Sequence, residues 1–286
     1  MIVVALNGGV GNQLFQYAAA RALALRLGVP VGLDRRWYDG RRGRRYALDR
    51  FAIRPEPVDP DALPFRDGRI LGHLLSGLGG RFGIYRESGL AFDQRLLDLP
   101  DGSYLRGVFQ CERYFADQEA TIRRDLAFAD PPDADSRATL EAIGGSLAVS
   151  LHVRRGDYVS NPRIATVHGT LAADYYRRAA DLIAARCGGD PSFFVLSDDP
   201  AWAAENLQLG FPTRTVDHND DRQATEDLRL MAACRHHILA NSSFSWWGAW
   251  LNPSAEKIVV APRPWFRDRS LDDSSIVPER WIRLPA

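Results

Sequence analysis

Two adjacent arginines stand in the polar segment His152–Tyr158, directly after an apolar run that predicts a β-strand. Arginine keeps its charge at any working pH and can make two parallel hydrogen bonds to a phosphate group. Arg154 and Arg155 are therefore candidate phosphate ligands. The structural alternative is that Arg154 pairs with Asp157 and only holds the end of the strand.

Two aspartates, Asp198 and Asp199, follow the next predicted strand, residues 193–196. A carboxylate at such a position can accept two hydrogen bonds from the edge of a guanine base, so Asp199 is a candidate nucleotide contact. An aspartate ahead of Pro200 would equally cap the helix that begins there. Both interpretations stay open from the sequence.

A serine-rich segment, residues 241–248, follows a third predicted strand and opens a helix. Hydroxyl groups and backbone N–H groups at a helix start can bind an anion, although simple helix capping is common there. The candidate anion ligands are Ser242, Ser243 and Ser245. Ligands of parallel sheets bind at the carboxyl ends of the strands. Together the three segments predict a nucleotide-diphosphate site in which arginine takes the place of a metal ion.

A glycine-bearing turn, residues 8–11, lies between a predicted strand at 2–6 and a predicted helix at 13–27. It has neither the G-x-G-x-x-G spacing nor the lysine of a P-loop. We interpret it as a turn whose backbone approaches a ligand closely. Asn12 and Gln13 are candidate contacts to an acceptor sugar, and helix capping is the equal alternative.

The elements that would position these residues alternate between strand and helix, most regularly from residue 146 onward. Such alternation predicts an α/β fold whose parallel sheet is covered on both faces. Residues 35–102 show no clear period and predict irregular structure with short helices. A proline-containing linker near residue 131 suggests two α/β domains, 1–145 and 146–286, that face a cleft.

The composition excludes several classes of protein. A chain of 286 residues with a formal net charge of +0 argues against a dedicated nucleic-acid binder. Three widely spaced cysteines fit neither a disulfide framework nor a zinc site. The sequence shows no signal peptide or membrane span, which predicts a cytoplasmic protein. The arginine-rich segment Arg35–Arg50 is interpreted as a solvated loop, with peripheral contact to the inner membrane as the alternative.

Three segments resemble the alpha-1,2-fucosyltransferases of glycosyltransferase family 11: residues 7–17, 152–158 and 241–248. Shorter likenesses at residues 110–115 and 174–176 extend the resemblance over most of the chain. It implies a GT-B-like fold of two Rossmann-like domains, the N-terminal one on the acceptor side and the C-terminal one binding GDP-fucose. It further implies an inverting transfer of L-fucose from GDP-fucose to a galactoside hydroxyl, without a metal or other cofactor.

The resemblance also implies roles for individual residues. Arg154 matches the arginine that holds the donor diphosphate, and His152 and Asp199 match positions near the guanine. The phosphate-side motif is matched by Ser242, Ser243 and Ser245.

Transfer of the sugar leaves negative charge on GDP, which Arg154 and Arg155 would stabilise. Inversion also needs a base for the acceptor proton, and Asp157 is the candidate, with His168 and Asp174 as alternatives. Three rival functions stay open: transfer from another nucleotide sugar, GDP-sugar binding without catalysis, and a Rossmann oxidoreductase. The acceptor glycan and the oligomeric state are not specified by the sequence.

Overall fold

The structure is a computed structural model that describes residues 1–40, 44–64, 82–220 and 222–286. Contacts divide the chain into two units, Met1–Ala129 and Asp130–Ala286. Each unit is built on a parallel β-sheet with helices between its strands. The predicted α/β class is therefore confirmed.

The first unit contains a four-stranded sheet. Its strands are β1 (Ile2–Ala5), β2 (Val31–Asp34), β3 (Gly83–Arg86) and β4 (Ser103–Arg106), and its α-helices are α1 (Val10–Leu27) and α2 (Glu119–Asp125). Short 3₁₀ helices cover Arg36–Tyr38, Leu48–Arg50, Pro60–Ala62, Gln94–Leu96, Glu112–Tyr114 and Ala116–Gln118. The strand order is β2-β1-β4-β3, and every pair is parallel. The loops that follow the four strands therefore emerge along one edge of the sheet.

The second unit contains a six-stranded sheet. Its strands are β5 (Leu147–Val153), β6 (Pro191–Ser197), β7 (Thr213–Val216), β8 (His236–Ile238), β9 (Val259–Arg263) and β10 (Ile282–Pro285). Its helices are α3 (Ala134–Gly144), α4 (Gly156–Ser160), α5 (Pro162–Val167), α6 (Ala173–Ala184), α7 (Pro200–Asn206), α8 (Ala224–Ala233) and α9 (Ser243–Leu251). The order is β10-β9-β8-β5-β6-β7, again all parallel.

Strand β5 lies at the centre of this second sheet. Its residues Leu147 to Val153 pair with β6 on one side, and Val149 to Leu151 pair with β8 on the other. The neighbouring side chains on these three strands belong to one buried apolar cluster, which fixes their register. The loops after β5, β6 and β8 are consequently neighbours at the carboxyl edge, as the sequence predicts.

The division between the units differs from the predicted boundary at 145/146. Helix α3 belongs to the second unit, because Ile143 is buried with Leu196 and Met231 in a common apolar cluster. The division therefore falls just ahead of the proline-containing linker rather than after the helix that follows it.

Four strands were not predicted individually: β2, β3, β4 and β10. Strand β3 exposes most of its side chains, and β10 exposes or half-exposes all of its residues. Such short strands lack the buried apolar run or the clean alternation by which a sequence indicates a strand. No helix within the described ranges is both long and apolar enough to cross a membrane.

Candidate functional site

The side chain of Arg154 is held by two carboxylates. Its Nη2 donates to Oδ1 of Asp157 at 2.6 Å, and its Nη1 lies 2.9 Å from Oδ2 of Asp198. Burial alone would lower the pKa of Arg154, but the carboxylates of Asp198 and Asp157 outweigh it, so this pKa lies above its ordinary value. The result is a charged guanidinium group with a fixed orientation just past the end of β5.

Arg155 is fixed through a second set of contacts. Its backbone N–H donates to Oδ1 of Asp198 at 2.7 Å, and its Nε donates to Oδ2 of Asp199 at 3.0 Å. Its guanidinium carbon lies 4.0 Å from the centre of the Trp202 ring, within cation–π distance. Arg155 is thereby oriented by the loop after β6 and by the first turn of α7.

Asp199 caps helix α7, which is one of the two roles that the sequence left open. Its Oδ1 accepts a hydrogen bond from the backbone N–H of Trp202 at 3.2 Å and so caps α7. Its other oxygen accepts from Arg155. The capping interpretation is therefore confirmed, while the contact with guanine stays a prediction.

Asp198 has a larger role than the sequence indicated, and Gly156 makes that role sterically feasible. A Cβ atom placed on Gly156 would lie 2.4 Å from Oδ2 of Asp198, closer than real contacts allow. Only glycine at this position lets the carboxylate reach both arginines. The glycine after the two arginines is visible in the sequence, but Asp198 lies on another loop, so the contact between Gly156 and Asp198 could not be predicted.

The serine-rich segment forms the start of α9. Ser242 caps the helix by accepting the backbone N–H of Phe244 at 3.3 Å. The hydroxyl of Ser245 lies 3.1 Å from the carbonyl oxygens of both Ala240 and Ser242, and its side chain is fully buried. Direct phosphate binding by Ser245 is therefore not supported, and its role is to shape the turn. Phosphate contacts of Ser242 and Ser243 stay predictions.

His152, near the end of β5, lies against the start of α9. Its ring lies 5.3 Å from the ring of Phe244, centre to centre, and is buried. Burial and the nearby charge of Arg154 lower the pKa of His152 to about 3, so the imidazole is neutral at pH 7. Within the described part of the chain, its buried Nδ1 has no hydrogen-bond partner. A contact with guanine stays a prediction.

The candidate bases occupy different places. His168 stacks on Tyr158 with ring centres 4.7 Å apart, and burial lowers the pKa of His168 against the opposing effect of Asp157. Asp174 instead pairs with Arg178 at 2.7 Å on the exposed side of α6. Asp157 and His168 thus lie beside Arg154, and Asp174 makes its contacts elsewhere.

In the first unit, the two predicted acceptor contacts differ sharply. Gln13 is fully buried: its Nε2 donates to the carbonyl of Arg45 at 2.8 Å, and its Oε1 accepts from the N–H of Ala47 at 2.9 Å. Direct contact between Gln13 and an acceptor does not fit this burial, so its role is to fix residues 45–47. Asn12 is half-buried, pairs with Gln110 at 2.9 Å, and stays a candidate.

The arginine-rich segment is only partly described. Arg36 binds Asp34 through two hydrogen bonds of 2.9 and 2.7 Å, and Arg35 stacks on Tyr46. Arg41 and Arg42 lie outside the described residues. Membrane contact by this segment stays a prediction. In the described part of the chain, no group of three or more histidine, cysteine or acidic side chains is arranged to hold a metal ion.

Two units, each built on a parallel α/β sheet, are the architecture of a GT-B-like fold, and the arginine pair lies at the carboxyl end of a central strand, where such sheets bind ligands. The Arabidopsis thaliana FUT1 mutant in complex with GDP has a similar fold: the TM-score is 0.50 at 12% identity, over 90% of this chain and 69% of that one. This likeness concerns the fold alone.

The chain belongs to glycosyl transferase family 11, whose model matches residues 89–284. Over 99% of both chains it is 29% identical to an alpha-1,2-colitosyltransferase of Escherichia coli. It is also 29% identical to human galactoside alpha-(1,2)-fucosyltransferase 1, over 86% of this chain and 64% of that protein. The family predicted from the sequence motifs is therefore confirmed.

Proposed function

We propose that this protein transfers L-fucose from GDP-fucose to the 2-hydroxyl of a galactoside, with inversion at the sugar carbon. The observation that carries the proposal is the arginine pair, Arg154 and Arg155, fixed beyond β5 by carboxylates of the neighbouring loop. Family membership and the similarity to a galactoside fucosyltransferase support the donor and the acceptor class.

The first chemical requirement is to stabilise the leaving group. When the fucose–phosphate bond breaks, negative charge grows on the diphosphate, and guanidinium groups already oriented toward it lower the barrier without reorganising. Three carboxylates face the two guanidinium groups. The diphosphate must therefore share or replace some of these carboxylate contacts. Its negative charge favours this exchange, because the guanidinium groups keep an anionic partner.

The second requirement is to remove the acceptor proton. Asp157 is the proposed base, because its carboxylate lies 2.6 Å from the Arg154 guanidinium group that is proposed to hold the donor diphosphate. The ion pair with Arg154 also makes Asp157 an orienting group. His168, kept neutral by burial and lying against Tyr158, is the second candidate.

The reaction is also proposed to need no metal ion. Arg154 and Arg155 supply the positive charge that Mg²⁺ or Mn²⁺ provides in metal-dependent transferases. Arginine adds directed N–H donors that match phosphate oxygens in pairs.

A second donor has a specific observation in its favour. The similarity to an alpha-1,2-colitosyltransferase extends over 99% of this chain, further than the 86% shared with the human fucosyltransferase. Colitose is L-fucose without its 3-hydroxyl group, so the two donors differ by one hydrogen-bonding group. Transfer of colitose to the same type of acceptor is therefore the alternative.

The decisive experiment incubates the purified chain with GDP-fucose or GDP-colitose and a panel of β-galactosides, and determines product linkage by NMR. We expect an α1,2-linked fucoside from GDP-fucose. Transfer from GDP-colitose alone would favour the second donor. GDP binding by calorimetry without turnover on any donor and acceptor would identify a non-catalytic binding protein.

A further inference from the structure

The carboxyl edge of the first sheet carries a pair of amide side chains from distant parts of the chain. Nε2 of Gln110, in the loop after β4, donates to Oδ1 of Asn12 in the first turn of α1 at 2.9 Å. Both residues are half-buried, and in parallel α/β sheets this edge is where ligands bind.

Two neighbouring amide side chains of α1 are buried and hydrogen-bonded to the backbone, as expected for amides with a structural role. Gln16 is fully buried, with its Oε1 accepting from the N–H of Asn7 and its Nε2 donating to the carbonyl of Gly107, both at 3.0 Å. Gln13 is buried and bonded in the same way. These two side chains tie loops together, whereas Asn12 and Gln110 remain accessible at the edge.

The backbone beside Gln110 adopts a conformation that requires support. Phe109 has φ of 51°, the left-handed region that bulky side chains rarely occupy. Its ring is fully buried between Tyr85 and Tyr114. This conformation directs the Phe109 ring into the core while the next side chain, Gln110, reaches Asn12 at the edge. Residues held in this way cluster at ligand-binding sites.

Glu87 holds this turn in place. Its Oε2 accepts from the backbone N–H groups of Val108 and Phe109, at 2.7 and 3.1 Å. Gly107 permits the approach, because a Cβ there would lie 2.6 Å from the Glu87 side chain. The other oxygen, Oε1, is buried and has no hydrogen-bond partner among the described residues. Burial raises the pKa of Glu87, and the two N–H donors oppose that rise.

We propose that Gln110 binds the acceptor sugar beside Asn12, and that Glu87 is the positioning residue that presents Gln110 by holding the Phe109 turn. An amide group donates and accepts at once, as a sugar hydroxyl does, so two adjacent amides match two vicinal hydroxyls of a glycan. The inference rests on the proposed transferase function and deepens its acceptor side.

The test uses the full chain, with Gln110→Ala and Asn12→Ala as the direct variants. Gln94→Ala is the matched control, since Gln94 is an exposed glutamine of the same unit. With an acceptor from the β-galactoside panel, we expect the acceptor KM to rise at least tenfold in both direct variants. The Kd for GDP and the control's KM should stay within twofold of the parent.

Glu87 is tested by rescue. Glu87→Ala should raise the acceptor KM at least tenfold with little change in kcat. Glu87→Gln should restore most of the parent value, because its amide oxygen can still accept from Val108 and Phe109. Thermal melts identify any variant that has lost its fold. If Glu87→Ala does not fold, the acceptor KM of Glu87→Gln tests the role of Glu87: a value near the parent's supports the positioning role, and a value at least tenfold higher in a folded variant overturns it. Failure of Gln to rescue a folded Ala variant would overturn the positioning role.

Two further results would overturn the inference: an unchanged acceptor KM in folded Gln110→Ala, or a parallel loss of GDP affinity. Failure of the proposed function is detected separately, as absence of turnover by the parent. In that case, saturation-transfer NMR of lactose with GDP-loaded protein replaces kinetics. Loss of the lactose signal in the direct variants, with Gln94→Ala unchanged, supports the inference, and no signal from the parent overturns it.

Discussion

Replacing Gly156 with alanine tests the proposed donor site without removing any of its charges. The added methyl carbon would lie 2.4 Å from Oδ2 of Asp198. To reach ordinary van der Waals contact, that carboxylate or the loop must move by about 1 Å. The contacts of Asp198 with Arg154 and with the Arg155 N–H, now 2.9 and 2.7 Å, would lengthen by up to about that amount, which is enough to exceed hydrogen-bonding distance.

A displacement of about 1 Å in a group that positions the reacting atoms can lower the rate about 100-fold, or roughly 2.7 kcal/mol in barrier height. We therefore expect kcat/KM for GDP-fucose to fall about 100-fold in Gly156→Ala. Gly144→Ala is the matched control, because a Cβ on Gly144 meets nothing within 4 Å. Steady-state kinetics and thermal melts measure both variants. A folded Gly156→Ala with the activity of the control would refute the proposed role of Asp198.

Four other outcomes are expected. Arg154→Lys should stay folded while kcat falls on the order of 10²–10³, because one ammonium cannot replace a planar fork held at both ends, and an active variant would leave Arg154 only a structural role. Turnover should survive excess EDTA, and loss that added Mn²⁺ restores would contradict metal independence. Asp199→Ala should narrow the preference for GDP over UDP in calorimetry, and because Asp199 also caps α7, a lower melting temperature with unchanged preference would show that capping is its only role. The pKa of His152 falls from 6.5 unfolded to about 3 folded, so the stability this residue contributes is present above pH 6.5 and lost as the pH falls. In urea unfolding, the free energy of unfolding of His152→Phe should therefore fall less between pH 6.5 and 4.5 than that of the parent, by up to about 1.4 kcal/mol per pH unit. An equal dependence on pH in the two proteins would contradict the lowered pKa of His152.

The adjacency of the three polar loops could be predicted from sequence because β5 and β6 are buried strands rich in apolar residues, and the short buried strand β8 is likewise followed by a polar loop. Their adjacency follows from the rule that parallel strands end at one edge. The pair of Arg154 with Asp157 was one of the alternatives that the sequence offered, and the structure contains it. The contacts with Asp198 and Asp199 could not be predicted, since these two residues reach the loop after β5 only through tertiary packing.

The acceptor side was less predictable for a related reason. Asn12 and Gln13 are neighbours in sequence, yet successive helical residues point about 100° apart, so one is half-buried at the edge and the other is fully buried. The positive φ falls on Phe109 itself, where the sequence has neither the glycine nor the asparagine that would indicate it. Its conformation depends on Glu87, which lies on a different loop.

The order of the strands along the chain also has a consequence for synthesis on the ribosome. The sheet of the first unit is complete once residue 106 has emerged, because β4 lies between β1 and β3. The sheet of the second unit needs β10, Ile282–Pro285, for its outer edge. Domains fold as units, N-terminal first, at roughly 5–20 residues added per second. The unit that carries Arg154 and Arg155 can therefore complete its sheet only after residue 285 has left the exit tunnel, seconds after the sheet of the first unit.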